Sequence, residues 1–216
     1  MNIKGAIFDF DGTLFDSMHV WETIGNGYLE SIGIRPREDL TEKFKKMTLT
    51  EAAEFYRENY GVKASVEDIV EDVNRVVGIR YSDEVMPKDG IPEFLEALRV
   101  SGASMCIATV TDRKMIESAL ARTGLRHYFT DIFSCETLGL GKDKPEIFEL
   151  CTRAMGTSKE STVIFEDSFF AATTAKKAGF TVVGVYDKFE KATKELEKLA
   201  DVYVRDTREL MGLIGG

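Results

Sequence analysis

Short apolar runs and stretches of helical spacing alternate along most of the chain. An apolar run leading into Asp9 predicts a first strand, and later runs predict strands at 103–108, 132–134, 161–165, 181–185 and 202–204. Helical spacing predicts helices at 91–100, 115–123, 145–155, 168–178, 188–199 and 207–214. Continuously apolar strands separated by helices are typical of a parallel sheet covered on both faces.

Residues 18 to 82 have a different pattern, in which the apolar stretches have helical spacing. The spacing predicts helices at 18–32, 40–47 and 50–59, and Ser65 with Asp68 has the pattern of a capping box that starts a further long helix. Two parts are therefore predicted. One is a doubly wound, Rossmann-like α/β core of residues 1–16 and 84–216, and the other is an all-helical insertion of residues 17–83.

Two acidic residues directly follow the first predicted strand. Asp9 and Asp11 precede Gly12-Thr13 and are placed at the carboxyl end of that strand, where α/β proteins place chemistry. Carboxylates held this close repel each other unless a cation, a shared proton or different roles relieve the repulsion. Of these, a hard divalent cation such as Mg²⁺, which prefers oxygen ligands, fits the pair of carboxylates best. The alternative is a polar loop whose aspartates cap the following segment.

Other polar residues are predicted at the same edge of the sheet, because the carboxyl ends of parallel strands meet there. Thr109 follows one strand, Glu166 and Asp167 follow another, and Lys142 lies in the loop GLGKDKPE. Acids can hold Mg²⁺, a hydroxyl can bind phosphate oxygens and a lysine can neutralise charge, so the set suits a phosphoryl group. Taken singly, these residues have simpler interpretations: a strand-end threonine, a solvated loop lysine and an acidic helix N-terminus.

The net charge of the chain limits the classes of partner that it is expected to bind. A net charge of -9 and a pI near 4.9 disfavour a nucleic-acid or anionic-membrane partner, because neither polyanion would be attracted over long range. A small phosphate can still bind where local cations, backbone N–H groups or a metal reverse the field. We therefore expect a small phosphorylated metabolite as the ligand, with no nucleic acid and no membrane.

The cysteines and the hydropathy of the chain predict its compartment. Cys106, Cys135 and Cys151 are far apart and form no CxxC pair, which favours buried free thiols in a reducing environment. The N-terminal apolar run is too short for a signal peptide, and no segment is long enough to span a membrane. We expect a cytoplasmic protein that is a monomer or a weak homodimer.

Four motifs in this order carry a family resemblance that spans nearly the whole chain. They are DFDGTLFDS at Asp9, IATVTD around Thr109, GKDKPEIF around Lys142 and VIFEDS around Glu166 and Asp167. The chain resembles the haloacid dehalogenase superfamily, in the branch with a helical cap after the first strand that includes β-phosphoglucomutase and phosphoglycolate-type phosphatases. The resemblance implies a catalytic α/β core, with residues 17–83 as the cap domain.

The resemblance also implies roles for the acidic residues. Asp9 would be the nucleophile, forming an aspartyl-phosphate, and a ligand of Mg²⁺. Asp11 would be the general acid and base and would give its backbone carbonyl to the metal. Asp167 would be a metal ligand, and Glu166 would bind the metal directly or through water. The implied activity is Mg²⁺-dependent hydrolysis of a small phosphomonoester, such as a sugar phosphate or a similar metabolite.

The phosphoryl group would be bound by three further residues. By resemblance, Thr109 binds the phosphoryl oxygens together with the N–H of Val110, and Lys142 bridges the nucleophile and the phosphate. One departure concerns the lysine motif, which usually reads Lys-Pro-x-Pro and here reads Lys142-Asp143-Lys144-Pro145. The loop lacks the first proline, so we expect it to be looser.

A second departure concerns the cap. Phosphoglucomutase-type caps carry a histidine and an arginine at positions that align with Trp21 and Leu49 here, so the guanidinium that would hold a second phosphate is missing. Candidate substrate contacts in the cap are His19, Trp21, Lys46 and Thr48. An exposed helix position is the alternative for His19, and core packing is the alternative for Trp21.

Three other functions compete with hydrolysis of a phosphomonoester. A sugar phosphomutase would need the missing cap groups. A dehalogenase would attack carbon without a metal, and such enzymes do not keep the second acid, Asp11. A non-catalytic phospho-ligand binding or regulatory protein would be expected to have lost Asp9 or Asp11, and both are present.

Overall fold

The computed structural model describes residues 1–37, 40, 47 and 49–214. The chain divides into two compact units. The first, which we call the core unit, comprises Met1–Asp16 and the chain from Val85 onward, and the second, the helical unit, comprises Ser17–Glu84. The predicted helix at 40–47 falls almost entirely outside the described residues.

The core unit contains a six-stranded sheet in which every neighbouring pair of strands is parallel. Its strands are β1 (Gly5–Phe8), β2 (Ser104–Thr109), β3 (Asp131–Ser134), β4 (Thr162–Glu166), β5 (Thr181–Val185) and β6 (Val202–Val204). Their spatial order is β3-β2-β1-β4-β5-β6, so the chain order reverses direction at β1 and β4. The predicted doubly wound parallel α/β fold is confirmed, and this reversal forms the crevice where such folds bind ligands.

The helices of the described residues lie between the strands along the chain, except for three that belong to the helical unit. In chain order they are α1 (Met18–Ser31), α2 (Leu49–Tyr60), α3 (Val66–Asp83), α4 (Ile91–Val100), α5 (Arg113–Thr123), α6 (Cys135–Leu138), α7 (Glu146–Met155), α8 (Phe169–Lys177) and α9 (Thr193–Leu199). Short 3₁₀ segments occur at Arg126–Tyr128, Lys159–Ser161 and Thr207–Leu213. None of the described helices is both long enough and apolar enough to cross a membrane.

The central strand β1 is buried along its whole length, as its apolar sequence requires. Phe8 pairs in register with Ile107 of β2 and with Phe165 of β4. The rings of Phe8 and Phe165 stack with their centroids 4.5 Å apart. Burial of each such side chain contributes roughly 1.5–3 kcal/mol, so the strand ends that hold the polar residues are rigidly supported.

Two predicted helices of the core unit differ from the observed ones. The predicted helix at 188–199 begins only at Thr193, because Asp187 and Glu190 accept hydrogen bonds from the backbone N–H groups of Phe189 and Ala192 and stabilise a non-helical loop. The closing segment Thr207–Leu213 is a 3₁₀ helix. The short helix α6 lies where no helix was predicted.

The helical unit contains α1, α2 and α3 and has no strand among its described residues. The predicted capping box is confirmed, since Asp68 N–H donates to Ser65 Oγ and Ser65 N–H donates to Asp68 Oδ2. The rings of Tyr28 and Tyr56 pack with centroids 5.0 Å apart. Tyr56 Oη also donates to the carbonyl of Gly25 (2.7 Å), which joins α2 to α1.

Candidate active site

Three carboxylates meet at the carboxyl ends of β1 and β4. Asp9 continues the ladder beyond β1 by donating its N–H to the carbonyl of Phe165 (2.9 Å), which places it beside Glu166. Oxygen atoms of Asp9, Glu166 and Asp167 all lie within 4.8 Å of one another, and all three side chains are buried. We call these three residues the acidic cluster.

Lys142 brings a positive charge to the acidic cluster. Its Nζ lies 2.5 Å from Asp9 Oδ1 and 2.9 Å from Glu166 Oε2, and the side chain is buried. Burial by itself would lower the pKa of the ammonium, but the negative charges of Asp9 and Glu166 outweigh it and raise the pKa above its ordinary value. Lys142 is therefore a permanent cation in this site.

One ammonium does not balance three carboxylates. Burial raises the pKa of Glu166 to about 7, against the opposing effect of Lys142, and the charge of Asp9 adds to the rise. Burial, followed by the charges of Asp9 and Glu166, holds the pKa of Asp167 well above its usual range, although Thr13 Oγ1 donates to Asp167 Oδ1 (2.9 Å) and opposes the shift. The ionised cluster carries two uncompensated negative charges, which a divalent cation would neutralise.

The donor set fits Mg²⁺. Its members are buried carboxylate oxygens from two neighbouring strand ends, which are hard ligands of the type that Mg²⁺ prefers. A divalent metal could supply the positive charge that Lys142 alone does not provide to the three carboxylates. Asp9, Glu166 and Asp167 are thus the residues that could hold the ion.

Asp11 is held by a residue that the sequence analysis did not identify. Thr111 Oγ1 donates to Asp11 Oδ2 (2.6 Å), and both side chains are buried. The two residues lie in the neighbouring loops that follow β1 and β2. Asp11 is two positions beyond Asp9, and Thr111 is two positions beyond Thr109. That shared spacing beside Thr109 is a signal that could have identified Thr111.

Thr109 ends β2 and is fully buried. Its Oγ1 accepts a hydrogen bond from the N–H of Thr111 (3.1 Å), and Ser134 Oγ donates to the carbonyl of Thr111 (3.0 Å). The loop after β2 is therefore braced against both its own strand and β3. Val110, between the two threonines, has an exposed side chain.

The loop after β1 turns sharply to return the chain. Gly12 has a φ of 78°, a conformation that other residues rarely adopt. Its N–H donates to the carbonyl of Phe15 (3.0 Å), and the N–H of Phe15 donates to the carbonyl of Phe10 (2.9 Å). This turn holds Asp11 near Asp9, at the edge of the sheet where β1 ends.

The structure thus brings Asp9, Lys142, Glu166 and Asp167 into one set of contacts, with Asp11 bonded to Thr111 next to Thr109. The candidates from the insertion belong to α1 or lie outside the described residues.

On α1, Trp21 packs within the helical unit, where its Nε1 donates to Tyr81 Oη (2.8 Å). His19 is half-exposed, and its carbonyl accepts a hydrogen bond from Thr23 Oγ1 (2.9 Å). Lys46 and Thr48 lie outside the described residues, so their part in the site stays a prediction.

All three cysteines are buried and free. Cys106 lies in β2, Cys151 in α7, and Cys135 at the start of α6. The prediction of buried free thiols is confirmed.

The family model described as haloacid dehalogenase-like hydrolase matches residues 6–185. A phosphorylated carbohydrates phosphatase of Thermotoga maritima is 27% identical over 177 residues, which cover 82% of each chain. A fructose-1-phosphate phosphatase of Escherichia coli is 26% identical over 185 residues, covering 84% of this chain and 95% of the other.

Among solved structures, a β-phosphoglucomutase-like protein from Thermotoga maritima superposes with a TM-score of 0.84 and 26% identity, covering 98% of both chains. The family match extends over most of the sequence, from the second residue of β1 to the end of β5. The chain therefore belongs to the haloacid dehalogenase-like hydrolases, in the branch that includes β-phosphoglucomutase-like proteins and phosphatases.

Proposed function

We propose that this enzyme is a Mg²⁺-dependent phosphoric monoester hydrolase that acts on a small phosphorylated metabolite of the sugar phosphate class. The observation that carries the proposal is the acidic cluster, in which Lys142 contacts Asp9 and Glu166, at the point where the strand order reverses. Support for the substrate class comes from relatives named as a phosphorylated carbohydrates phosphatase, a fructose-1-phosphate phosphatase and a hexitol phosphatase.

In this proposal the metal would be held by Asp9, Glu166 and Asp167. When bound, Mg²⁺ would neutralise negative charge on the phosphoryl group and on the carboxylates around it. Lys142 performs the same task from the protein side, because its ammonium already contacts Asp9 and Glu166. Both charges allow a dianionic phosphate to approach a carboxylate that would otherwise repel it.

Asp9 would be the nucleophile. A carboxylate oxygen of Asp9 attacks phosphorus, the bond from phosphorus to the ester oxygen breaks, and an aspartyl-phosphate forms. Water then attacks the same phosphorus, and the acyl-phosphate bond breaks to release inorganic phosphate and the free carboxylate. Lys142 holds Asp9 Oδ1, which fixes the orientation of the nucleophile in both steps.

Asp11 would move the proton. It donates a proton to the departing ester oxygen in the first step and removes one from water in the second. The hydrogen bond from Thr111 fixes the Asp11 side chain in the loop next to the nucleophile. Thr109 would bind a phosphoryl oxygen. Its Oγ1 accepts a hydrogen bond from Thr111 N–H, and the hydroxyl proton is still available to donate to the phosphate. Val110 N–H would be the second donor.

The core unit would carry the catalysis and the helical unit would serve as the cap that selects the substrate. By the family resemblance, Trp21 and Leu49 align with the histidine and the arginine of phosphomutase-type caps, and the absence of that histidine and arginine favours hydrolysis over transfer to a second hydroxyl. A cytoplasmic location and a monomeric or weakly dimeric state stay predictions from the sequence.

The test is phosphate release from a broad panel of phosphomonoesters, with Mg²⁺ or with EDTA, by the native protein and by Asp9→Asn. Metal-dependent release that the substitution abolishes is the expected result, with sugar phosphates ranked high. A parallel assay supplies β-glucose 1-phosphate with a bisphosphate activator. Isomerisation there, without phosphate release from any ester, would replace the hydrolase with a phosphomutase.

A further inference from the structure

The loop between β5 and α9, residues 186–192, contacts the segment that carries Asp167. The carboxylate of Glu190 lies between two backbone N–H groups. The N–H of Phe169, the first residue of α8, donates to Glu190 Oε2 (3.1 Å), and the N–H of Ala192 donates to Glu190 Oε1 (2.7 Å). One side chain thus joins the start of α8 to another loop.

The start of α8 needs such a partner. The first N–H groups of a helix have no acceptor within the helix, and Ser168, the residue before α8, makes no capping hydrogen bond with its side chain. The N–H of Ser168 donates instead to Glu166 Oε1 (3.1 Å), and the N–H of Phe169 donates to Glu190. Two carboxylates, those of Glu166 and Glu190, therefore accept from the two consecutive N–H groups that follow Asp167 and set the course of the backbone there.

Glu190 itself is held in a fixed loop. Asp187 is buried, and its Oδ2 lies 3.0 Å from Lys88 Nζ, which also donates to the carbonyl of Tyr186 (2.9 Å). Asp187 Oδ1 accepts from the N–H of Phe189 (2.9 Å). The loop is thereby tied to the chain segment around Lys88 on one side and to α8 on the other, so Glu190 has a rigid support.

We propose that Glu190 is a positioning residue for the metal site, which orients Asp167 toward Asp9 and Glu166 by holding the N-terminus of α8. The inference rests on the proposed function, because it takes the acidic cluster to be the Mg²⁺ site. Hydrogen-bond partners that orient metal ligands typically contribute about 10–100-fold to metal affinity. Glu190→Ala is expected to raise the dissociation constant for Mg²⁺ about 10-fold or more.

The experiment measures Mg²⁺ affinity without substrate, from the rise in unfolding temperature of the full chain as Mg²⁺ is titrated. Native protein, Glu190→Ala and Glu190→Gln are compared, and Gln keeps one acceptor oxygen, so its affinity should be intermediate. If Glu190→Ala does not fold, Glu190→Gln alone carries the comparison. Amide exchange of residues 166–172 in metal-free protein should also be faster in Glu190→Ala.

Asp201→Asn is the matched control. The Asp201 carboxylate also accepts from a backbone N–H, that of Val182 (2.8 Å), and pairs with Lys176 of α8 (2.7 Å), but it does so near the amino end of β5. Loss of this contact should lower the unfolding temperature and leave the Mg²⁺ dissociation constant within about 2-fold of the native value.

Three outcomes would overturn the inference. Equal Mg²⁺ affinity in native protein and Glu190→Ala would overturn it while the proposed metal site stands. Equal weakening by Asp201→Asn would show a general loss of structure rather than positioning. A native protein that does not respond to Mg²⁺ at all would overturn the proposed metal site together with the role of Glu190, so the two failures are distinguishable.

Discussion

The ammonium of Lys142, a residue of the loop that joins α6 and α7, lies 2.5 Å from Asp9 Oδ1 inside a buried site. The contact links the central strand to a residue more than a hundred positions away in sequence. Since Lys142 also contacts Glu166, the same ammonium compensates part of the charge of two carboxylates. Stability and the proposed catalysis therefore depend on the same contact.

Replacement of Lys142 should lower both the stability of the protein and its catalytic activity. In Lys142→Met the buried carboxylates lose their cation, and loss of one partner from a buried ion pair costs about 3–5 kcal/mol. We expect lower stability against urea and phosphatase activity reduced by about 100-fold or more, since charge stabilisation by one group is worth that much. The exposed Lys144, two positions along the same loop, provides the control. If Lys144→Met had the same effects, the role assigned to the Lys142 contacts would be wrong.

The acidic cluster should be a source of instability in the absence of metal. Asp167→Asn removes one buried charge and keeps an oxygen that can accept from Thr13 Oγ1, so the metal-free protein should gain on the order of 1 kcal/mol. If the acidic cluster holds Mg²⁺ as proposed, Mg²⁺ should stabilise the native protein, and the same variant should lose that stabilisation. Urea unfolding with EDTA and with Mg²⁺ measures both effects.

Asp187→Asn is the comparison for that experiment. Asp187 is also a buried carboxylate after a strand, but it pairs with Lys88, so its replacement should lower stability. A gain in stability for Asp187→Asn, or a loss for metal-free Asp167→Asn, would contradict the assignment of uncompensated charge to the acidic cluster.

Thr111 should affect turnover through Asp11. Thr111→Val keeps the shape of the side chain but removes the hydrogen bond to Asp11 Oδ2, and a hydrogen bond to a charged group contributes about 1.5–3 kcal/mol. We expect kcat to fall about 10- to 100-fold, with a smaller change in KM. Thr111→Ser restores the hydroxyl and should recover most of the activity.

Thr123→Val is the control for a lost threonine hydroxyl. Thr123 Oγ1 donates to a carbonyl one turn earlier in α5, away from the sheet edge that holds the acidic cluster. Its kinetics should be native. A kcat for Thr111→Val that equals that of the native enzyme would exclude a role for Thr111 in orienting Asp11.

The buried thiols should resist alkylation. Burial raises the pKa of Cys106 well above its usual range and also raises the pKa of Cys135, so the reactive thiolate is scarce near neutral pH and increases only as the pH rises toward these higher values. Native protein should react slowly with Ellman's reagent at pH 8, and the thiols of unfolded protein should all react rapidly. Ile79→Cys, at an exposed position, serves as the reactive control. Fast reaction of the native protein would show that the core opens readily.

Local patterns predicted much of the fold. The predicted helix at 91–100 has the observed bounds of α4, and the capping box at Ser65 starts α3 as expected. These features depend on residues a few positions apart, and their periodicity and hydrogen-bonding types are visible in one dimension. The order of motifs likewise indicated the family, which the match over residues 6–185 confirms.

The loop before α9 shows where local patterns fail. Residues 188–192 have helical spacing, yet the carboxylates of Asp187 and Glu190 accept hydrogen bonds from backbone N–H groups of this loop. Glu190 also accepts one from the N–H of Phe169. Local propensity cannot anticipate a competing contact from a distant element. Two of these contacts are local, each joining residues two positions apart, and the contact of Glu190 with Phe169 is the long-range one.

The sequence by itself determined which residue types stand at the strand ends, because the apolar runs show where each strand stops and which polar side chain follows. Only the tertiary structure decided which of these side chains contact each other: Lys142 with Asp9 and Glu166, Thr111 with Asp11, and Glu190 with the start of α8. The physical reason is that strand order and register set these distances. Both depend on how the whole sheet packs, which no local pattern contains.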